Sequence, residues 1–326
     1  MDKKQLQDKV ARASEGIGKC RKEIGKRIVG QSALVDGMLM ALLAGGHVLI
    51  EGVPGLAKTL AVKTLAEVFD VDFKRIQFTP DLLPADLVGT MVYRQQTGEF
   101  TPRKGPVFSN IILGDEINRA PAKVQSALLE AMAERQVTLG EVTYQLAYPF
   151  FVLATQNPIE HEGTYPLPEA QLDRFLLKLR IEYPSAEEEL GILRKMGVNE
   201  NHPVKKVLNS GALKNVQEAA AAIQVDEKIE EYIVNIVVAS RETDSDKYPY
   251  SRFIEYGASP RASLYIYRCA KVRALFEGRI YVLPDDIKTV AFDVLRHRIV
   301  LSYEAESEEL TAENIITKIL TSVAAP

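Results

Sequence analysis

The residues of this 326-residue chain that could do chemistry fall into a few short stretches. Gly52-Val53-Pro54-Gly55-Leu56-Ala57-Lys58-Thr59-Leu60 follows an apolar run, His47-Val48-Leu49-Ile50-Glu51, and precedes a helical pattern. A glycine-containing loop that opens a helix turns its backbone N–H groups toward an anion. On that reading the loop cradles the phosphates of a nucleotide, Lys58 reaches the β- and γ-phosphates, and the Thr59 hydroxyl ligates Mg²⁺. The strict pattern requires a glycine where Ala57 stands, so the loop departs from it by one residue. Alanine fits there only with a negative φ, or if its strain is borne elsewhere. The bland alternative for the stretch read alone is a Gly/Pro turn joining a strand to a helix.

A second stretch, Ile111-Ile112-Leu113-Gly114-Asp115-Glu116, reads as an apolar strand ending in two adjacent acids. Such a pair is costly to bury unless a cation sits beside it. Magnesium would supply that charge, with Asp115 as its partner through water and Glu116 placed to polarise the attacking water. The bland alternative is a solvated acidic loop. Together, loop and acid pair identify nucleotide binding. A third apolar run, Phe151-Val152-Leu153-Ala154-Thr155, leads to Gln156-Asn157. An amide at Asn157 could bond the γ-phosphate and the lytic water, and a turn-forming Asn before Pro158 explains it equally well.

Two arginines stand apart. Ser259-Pro260-Arg261 reads as the start of a helix that Gly278 closes. An arginine in a first turn opposes the helix dipole, and an anion beside Arg261 would remove the conflict, as would exposure to solvent. Arg174, in Leu172-Asp173-Arg174-Phe175, reads by itself as a surface partner of Asp173 or Glu169. A metal-enzyme reading fails. His47, His161, His202, His297, Cys20 and Cys269 offer no ligand spacing, and His161-Glu162 is the only suggestive pair.

The elements that must position these residues alternate. Helical patterns at 6–26 and 32–44 precede the first strand, and a helix from Lys58 to about Phe69 follows the loop. Further apolar runs lie at Phe73–Phe78, Asn110–Leu113, Phe150–Ala154 and Phe175–Ile181. Pro121–Arg135 is a helix with proline at its first position. The alternation predicts an α/β fold with a mostly parallel sheet. Thr90–Thr101 and Val137–Leu146 read as inserted β-hairpins. Beyond Tyr183-Pro184 the patterns are helical, at about 185–196, 208–223, 226–243, 260–277, 284–297 and 312–322, with a long loop at 240–259. Two domains are expected: 1–184, α/β and nucleotide-binding, and 185–326, an all-α lid.

Composition sets limits. The formal net charge of −4 does not advertise nucleic-acid binding. No apolar run is long enough to span a bilayer, and the N-terminus is too polar for a secretory signal. A cytoplasmic protein without direct membrane insertion is expected.

In this order the motifs resemble the AAA+ ATPases, and more narrowly the MoxR family, over nearly the whole chain from about Ile28. Ile28-Val29-Gly30-Gln31 is similar to the family's adenine-contacting box, and the glycine loop, alanine included, to its Walker A. Gly114-Asp115-Glu116-Ile117-Asn118-Arg119-Ala120 is similar to its Walker B extension, and Thr155-Gln156-Asn157-Pro158 to sensor 1. Glu169-Ala170-Gln171-Leu172-Asp173-Arg174-Phe175 is similar to its arginine-finger segment, and Ser259-Pro260-Arg261 to sensor 2. The hairpins match the helix-2 and pre-sensor-1 inserts. The resemblance implies ATP rather than GTP and a homo-oligomeric ring, usually a hexamer. It implies Arg174 as a finger acting on the neighbouring subunit's ATP, with Arg119 as an alternative. Arg261 becomes a γ-phosphate sensor in its own subunit, and the lid swings on ATP binding. It also implies chaperone-like remodelling or maturation of protein clients, including metal-cofactor insertion, and partners with von Willebrand factor A domains. A nucleic-acid motor with Arg94, Arg103 and Lys104 on its first hairpin, and a nucleotide-regulated scaffold with little turnover, are the competing readings.

Overall fold

The structure is a computed structural model that describes residues 2–53, 55–158, 163–196 and 202–326. The chain opens with α1 (Lys3–Ile24), whose Leu6, Val10, Ala13, Ile17, Cys20 and Ile24 recur at helical spacing and are all buried. Next comes α2 (Ser32–Ala44), apolar on nearly every side and ended by Gly45 at a left-handed φ of 71°. Then follow β1 (Val48–Glu51), α3 (Lys58–Val68), β2 (Phe73–Gln77), α4 (Pro84–Val88), β3 (Gly89–Arg94), β4 (Glu99–Lys104) and β5 (Ile111–Asp115). After these run α5 (Ala122–Glu134), β6 (Gln136–Leu139), β7 (Val142–Gln145), β8 (Phe151–Gln156), α6 (Glu169–Leu172) and β9 (Leu177–Arg180). The remainder is α7 (Ala186–Met196), α8 (Ser210–Ala221), α9 (Glu227–Ala239), β10 (Ile254–Tyr256), α10 (Pro260–Phe276), α11 (Pro284–Leu295), β11 (Val300–Leu301), α12 (Tyr303–Ser307) and α13 (Ala312–Ser322).

Five strands form one parallel sheet in the order β2-β5-β8-β1-β9. The register aligns Gln77 with Asp115, and Glu51 with both Gln156 and Arg180, so the carboxyl ends of these strands share one edge. The expected hairpins are present as β3–β4 and β6–β7, each antiparallel and outside the sheet.

Alternate residues of the central strands enter two separate apolar clusters. Val48, Ile50, Leu113 and Leu153 face one, and Leu49, Ile112 and Val152 face the other. Both faces of the sheet are therefore covered, as a parallel sheet requires. The first cluster does not stop at residue 184. It runs from α1 and α2 into α8, α9, α10, α11 and α13, with α1 packed on α8 and α10, and α10 packed on α2.

Three expectations change. The region after 184 contains a short antiparallel pair, β10–β11. The segment 240–259 is correspondingly built rather than loose. The buried Ser240 hydroxyl accepts from the Ala258 N–H (3.0 Å), and a Cβ at Gly257 would lie 2.0 Å from the Ser240 carbonyl. Pro121 caps α5 instead of occupying its first turn.

Candidate nucleotide-binding site

The glycine loop lies at the carboxyl end of β1 and runs directly into α3. Gly55 sits at φ 88° and Ala57, the N-cap of α3, at φ 53°. The alanine thus adopts the conformation the missing glycine would have supplied, at a cost of about 1–2 kcal/mol. The buried Leu56 and the helix behind it hold the chain there. Lys58 Nζ donates to the Gly52 carbonyl of its own loop at 2.6 Å. Burial lowers the Lys58 pKa, while Asp115 and Glu116 act in the opposite sense.

The acid pair is held by groups the sequence did not single out. Asp115 Oδ2 accepts from Arg75 at 2.6 and 3.1 Å, and its Oδ1 accepts from Thr155 Oγ1 at 2.6 Å. Glu116 stands at φ 56°, a strained conformation for a side chain of this size. Its N–H donates to Thr155 Oγ1 (2.9 Å), and its Oε2 accepts from Gln77 Nε2 (2.8 Å) and Arg119 Nη1 (3.2 Å). Arg75 also donates to Gln77 Oε1 at 2.8 Å. Arg75 and Gln77 are alternate residues of β2 and share a face, so one edge strand grips both acids. The polar alternation of Lys74-Arg75-Ile76-Gln77 was visible in the sequence, but its partner strand was not.

A cleft of about 420 Å³ joins these parts. Leu56 through Leu60, Arg75, both acids, Thr155 and Asn157 line it, with Asn157 almost fully buried. Gly52 approaches the sheet closely, since a Cβ there would lie 3.0 Å from the Ile181 carbonyl. Val53 continues the loop, and Pro54 falls outside the described residues, as does His161-Glu162. Val29, Gly30 and Gln31 are not in the phosphate cleft. Val29 and Gly30 pack against α7, where a Cβ at Gly30 (φ 71°) would come within 2.7 Å of Glu188, and Gln31 Oε1 is buried without a hydrogen-bond partner among the described residues.

The remaining two candidates lie at the opposite edge of the sheet. Arg174 and Arg261 line a second cleft of about 220 Å³ with His47 and Gly45-Gly46, the residues that enter β1. The four residues of β1, about 13 Å of extended chain, separate them from the glycine loop. Arg174 Nη1 donates to the Leu129 carbonyl at 2.7 Å, and Arg261 Nη1 pairs with Asp173 Oδ2 at 3.1 Å. The expectation that Arg261 senses the γ-phosphate of its own subunit is therefore corrected. Because α10 docks on α1 and α2, its N-terminus is carried to Asp173, away from the glycine loop.

Asp173 is shared. Its Oδ1 accepts from Arg298 Nε (2.8 Å), a guanidinium with 1% side-chain exposure that also bonds the Phe175 and Val294 carbonyls and stacks on Tyr265. His47, beside this cleft, accepts the Val152 N–H on Nδ1 (3.1 Å) and meets the Met132 carbonyl through Nε2 (3.2 Å). Burial depresses its pKa to about 4.

A parallel sheet of this order, a phosphate loop after one strand and an acid pair after another define a P-loop nucleotide-binding protein of the AAA type. Residues 47–177 match the family model of ATPases associated with various cellular activities, and residues 251–319 match that of the AAA lid domain. Chaperone MoxR1 of Mycobacterium tuberculosis is 52% identical over 93% of this chain and 81% of its own length. Protein MoxR of Methylorubrum extorquens is 30% identical over 96% of each chain. A crystal structure from Cytophaga hutchinsonii, 49% identical, superposes with a TM-score of 0.93 over 99% of this chain and 98% of its own. The chain belongs to the MoxR family of AAA+ ATPases.

Proposed function

We propose that the chain hydrolyses ATP in the cleft at the carboxyl edge of the sheet and uses the cycle to remodel or mature client proteins. The observation that carries this reading is the placement of Glu116. It stands beside Asp115 in the cleft lined by Lys58 and Thr59 and is held in a strained backbone conformation. Lys58 leaves the Gly52 carbonyl to meet the β- and γ-phosphates. Glu116 orients and deprotonates a water that attacks the γ-phosphorus. The bond from that phosphorus to the bridging oxygen breaks, and ADP departs with the electron pair. Asn157 bonds the γ-phosphate and the water.

No group of three or more His, Cys, Asp or Glu among the described residues could hold a metal alone. That suits Mg²⁺, which keeps its waters and arrives with the phosphates. Thr59 Oγ1 and Asp115 would hold it, and it would neutralise charge on the phosphate oxygens. Arg75 supplies the positive charge at Asp115 in the chain alone and must release that carboxylate when the metal nucleotide binds.

Arg174 and Arg261 act on ATP bound by a neighbouring copy, which makes a ring the working form. The hexamer, partners with von Willebrand factor A domains, metal-cofactor insertion and a cytoplasmic location belong to the same proposal. No helix among the described residues is long and apolar enough to cross a membrane. A nucleic-acid motor draws on one feature, the exposed Tyr93–Phe100 pair on the β3–β4 hairpin near Arg94 and Arg103. Tight DNA binding with a steep salt dependence would favour it.

Glu116→Gln keeps the side chain's shape and removes the base. Nucleotide binding should persist while turnover falls by at least ~100-fold. Wild-type turnover in this variant sinks the assignment.

A further inference from the structure

The hydrolysis reading uses Lys58, Thr59, Asp115, Glu116 and Asn157 and leaves Thr155 without a part. Thr155 lies on β8, the middle strand of the sheet, between β5 and β1. Phe151 and Leu153 before it, and Ile111 and Leu113 on β5, enter the same apolar cluster. By strand alternation Thr155 and Asp115 continue those two rows on the same face. Thr155 is 1% exposed. A valine would have the same shape and suit the apolar row better, so the hydroxyl is what calls for a reason.

A hydroxyl has one proton to give and lone pairs with which to accept. Both capacities are spent on the acid pair. An ionised carboxylate only accepts, so Thr155 Oγ1 donates to Asp115 Oδ1 at 2.6 Å. A backbone N–H only donates, so the same oxygen accepts from Glu116 at 2.9 Å. One side chain thus fixes a carboxylate oxygen of the first acid and the backbone of the second, whose φ of 56° needs support.

The effect reaches Arg75. A guanidinium meets a carboxylate most strongly as a fork, with one N–H on each oxygen. Arg75 donates twice to Asp115, from Nε at 3.1 Å and Nη2 at 2.6 Å, but both bonds end on Oδ2. Oδ1 is taken by Thr155. The arginine therefore holds half of the carboxylate and is the easier to displace.

We infer that Thr155 is a positioning residue. It reserves Asp115 Oδ1, so that Mg²⁺-nucleotide can displace Arg75 from Oδ2, and it pins the backbone that aims Glu116. The inference rests on the hydrolysis reading and adds a residue to it. Without the hydroxyl, Asp115 is free to turn both oxygens to the Arg75 fork, and the Glu116 N–H loses its acceptor.

Thr155→Val in the full-length chain tests this. In a Glu116→Gln background, fluorescent nucleotide is held fixed while Mg²⁺ is raised. Half-maximal binding should need about fivefold more Mg²⁺ than in the Glu116→Gln parent. Adding Arg75→Ala should remove most of that rise, because no fork can form. With Glu116 intact, Thr155→Val should lower kcat by about 30-fold. Thr155→Ser keeps the hydroxyl and should return both quantities to within about threefold of the parent. A loss of packing in β8 would neither depend on Arg75 nor be cured by serine. If thermal unfolding shows that the valine chain does not fold as the parent does, Thr155→Ala, which also lacks the hydroxyl, takes its place. A parent-like Mg²⁺ requirement or a parent-like kcat in the hydroxyl-free chain overturns the inference. So does a serine chain as impaired as the valine one, or a rise in Mg²⁺ requirement that persists in full with Arg75→Ala. In each of these cases Glu116→Gln can still abolish turnover, leaving the hydrolysis reading intact. Wild-type turnover in Glu116→Gln would sink that reading itself.

Discussion

The two ends of β1 carry opposite solutions to the same electrostatic problem. At the carboxyl end, acids and cations are matched within one chain: Asp115 with Arg75, and Glu116 with Gln77 and Arg119. At the amino end, Arg135, Arg174, Arg261 and Arg268 line one cleft; Asp173 pairs with Arg261 and with the buried Arg298, while Arg135 and Arg174 bond only backbone carbonyls. The first end is provisionally complete and must be rearranged to receive a ligand. The second is incomplete and gains by receiving one. On the proposed reading, such a chain has half of its chemistry at each edge, and two copies bring the halves together.

Arg174→Ala tests that division most severely. Turnover should fall by about 10³-fold or more, in the range of arginine fingers, while binding at the glycine loop persists. Mixing these subunits with Lys58→Ala subunits should restore part of the activity, because each supplies the half the other lacks. Absence of recovery would place Arg174 in its own subunit's chemistry or in none.

A pH experiment probes the amino end without any ligand. His47 is buried and neutral, with a pKa of about 4 in the fold against an ordinary value near 6.5, and burial depresses His297 as well. Between those values the unfolded chain binds a proton that the native chain does not. Stability is therefore unaffected above about pH 6.5 and falls as pH drops, by about 2 kcal/mol from His47 alone between pH 7 and 5. Urea unfolding at the two pH values should show the loss, and His47→Gln should shrink it. An unchanged pH dependence in the variant would mean that His47 is already protonated in the fold.

The smallest effect is expected at the carboxyl end. Arg75→Ala should lower the Mg²⁺ concentration needed for half-maximal nucleotide binding by a few-fold, since an exposed pair contributes only about 0.2–1 kcal/mol. Fluorescent-nucleotide titrations at fixed nucleotide and rising Mg²⁺ would measure it. A raised metal requirement would show that Arg75 assists metal binding instead of standing in for it.

Much of this architecture was legible in the sequence. The glycine loop, the acid pair and both hairpins are local patterns, and local patterns survive folding. What escaped is non-local. Arg75, Gln77 and Thr155 matter because β2 and β8 flank β5, and strand order is not written in any one segment. Arg261 was placed at the wrong edge because its position depends on how α10 docks on α1 and α2. Ala57 illustrates a third limit: composition cannot say whether an alanine follows the glycine conformation or avoids it.

The apolar core that runs from α1 through α10 to α13 bears on how such a machine could move. Swinging the helical lid away from the sheet would tear that core open, at about 2.5 kcal/mol for every 100 Å² of apolar surface exposed. Each copy is better suited to turn as one stiff tile than to open and shut like a jaw. Under the proposed function, the stroke would belong to the seam between tiles, where an arginine of one copy would meet the phosphate of the next.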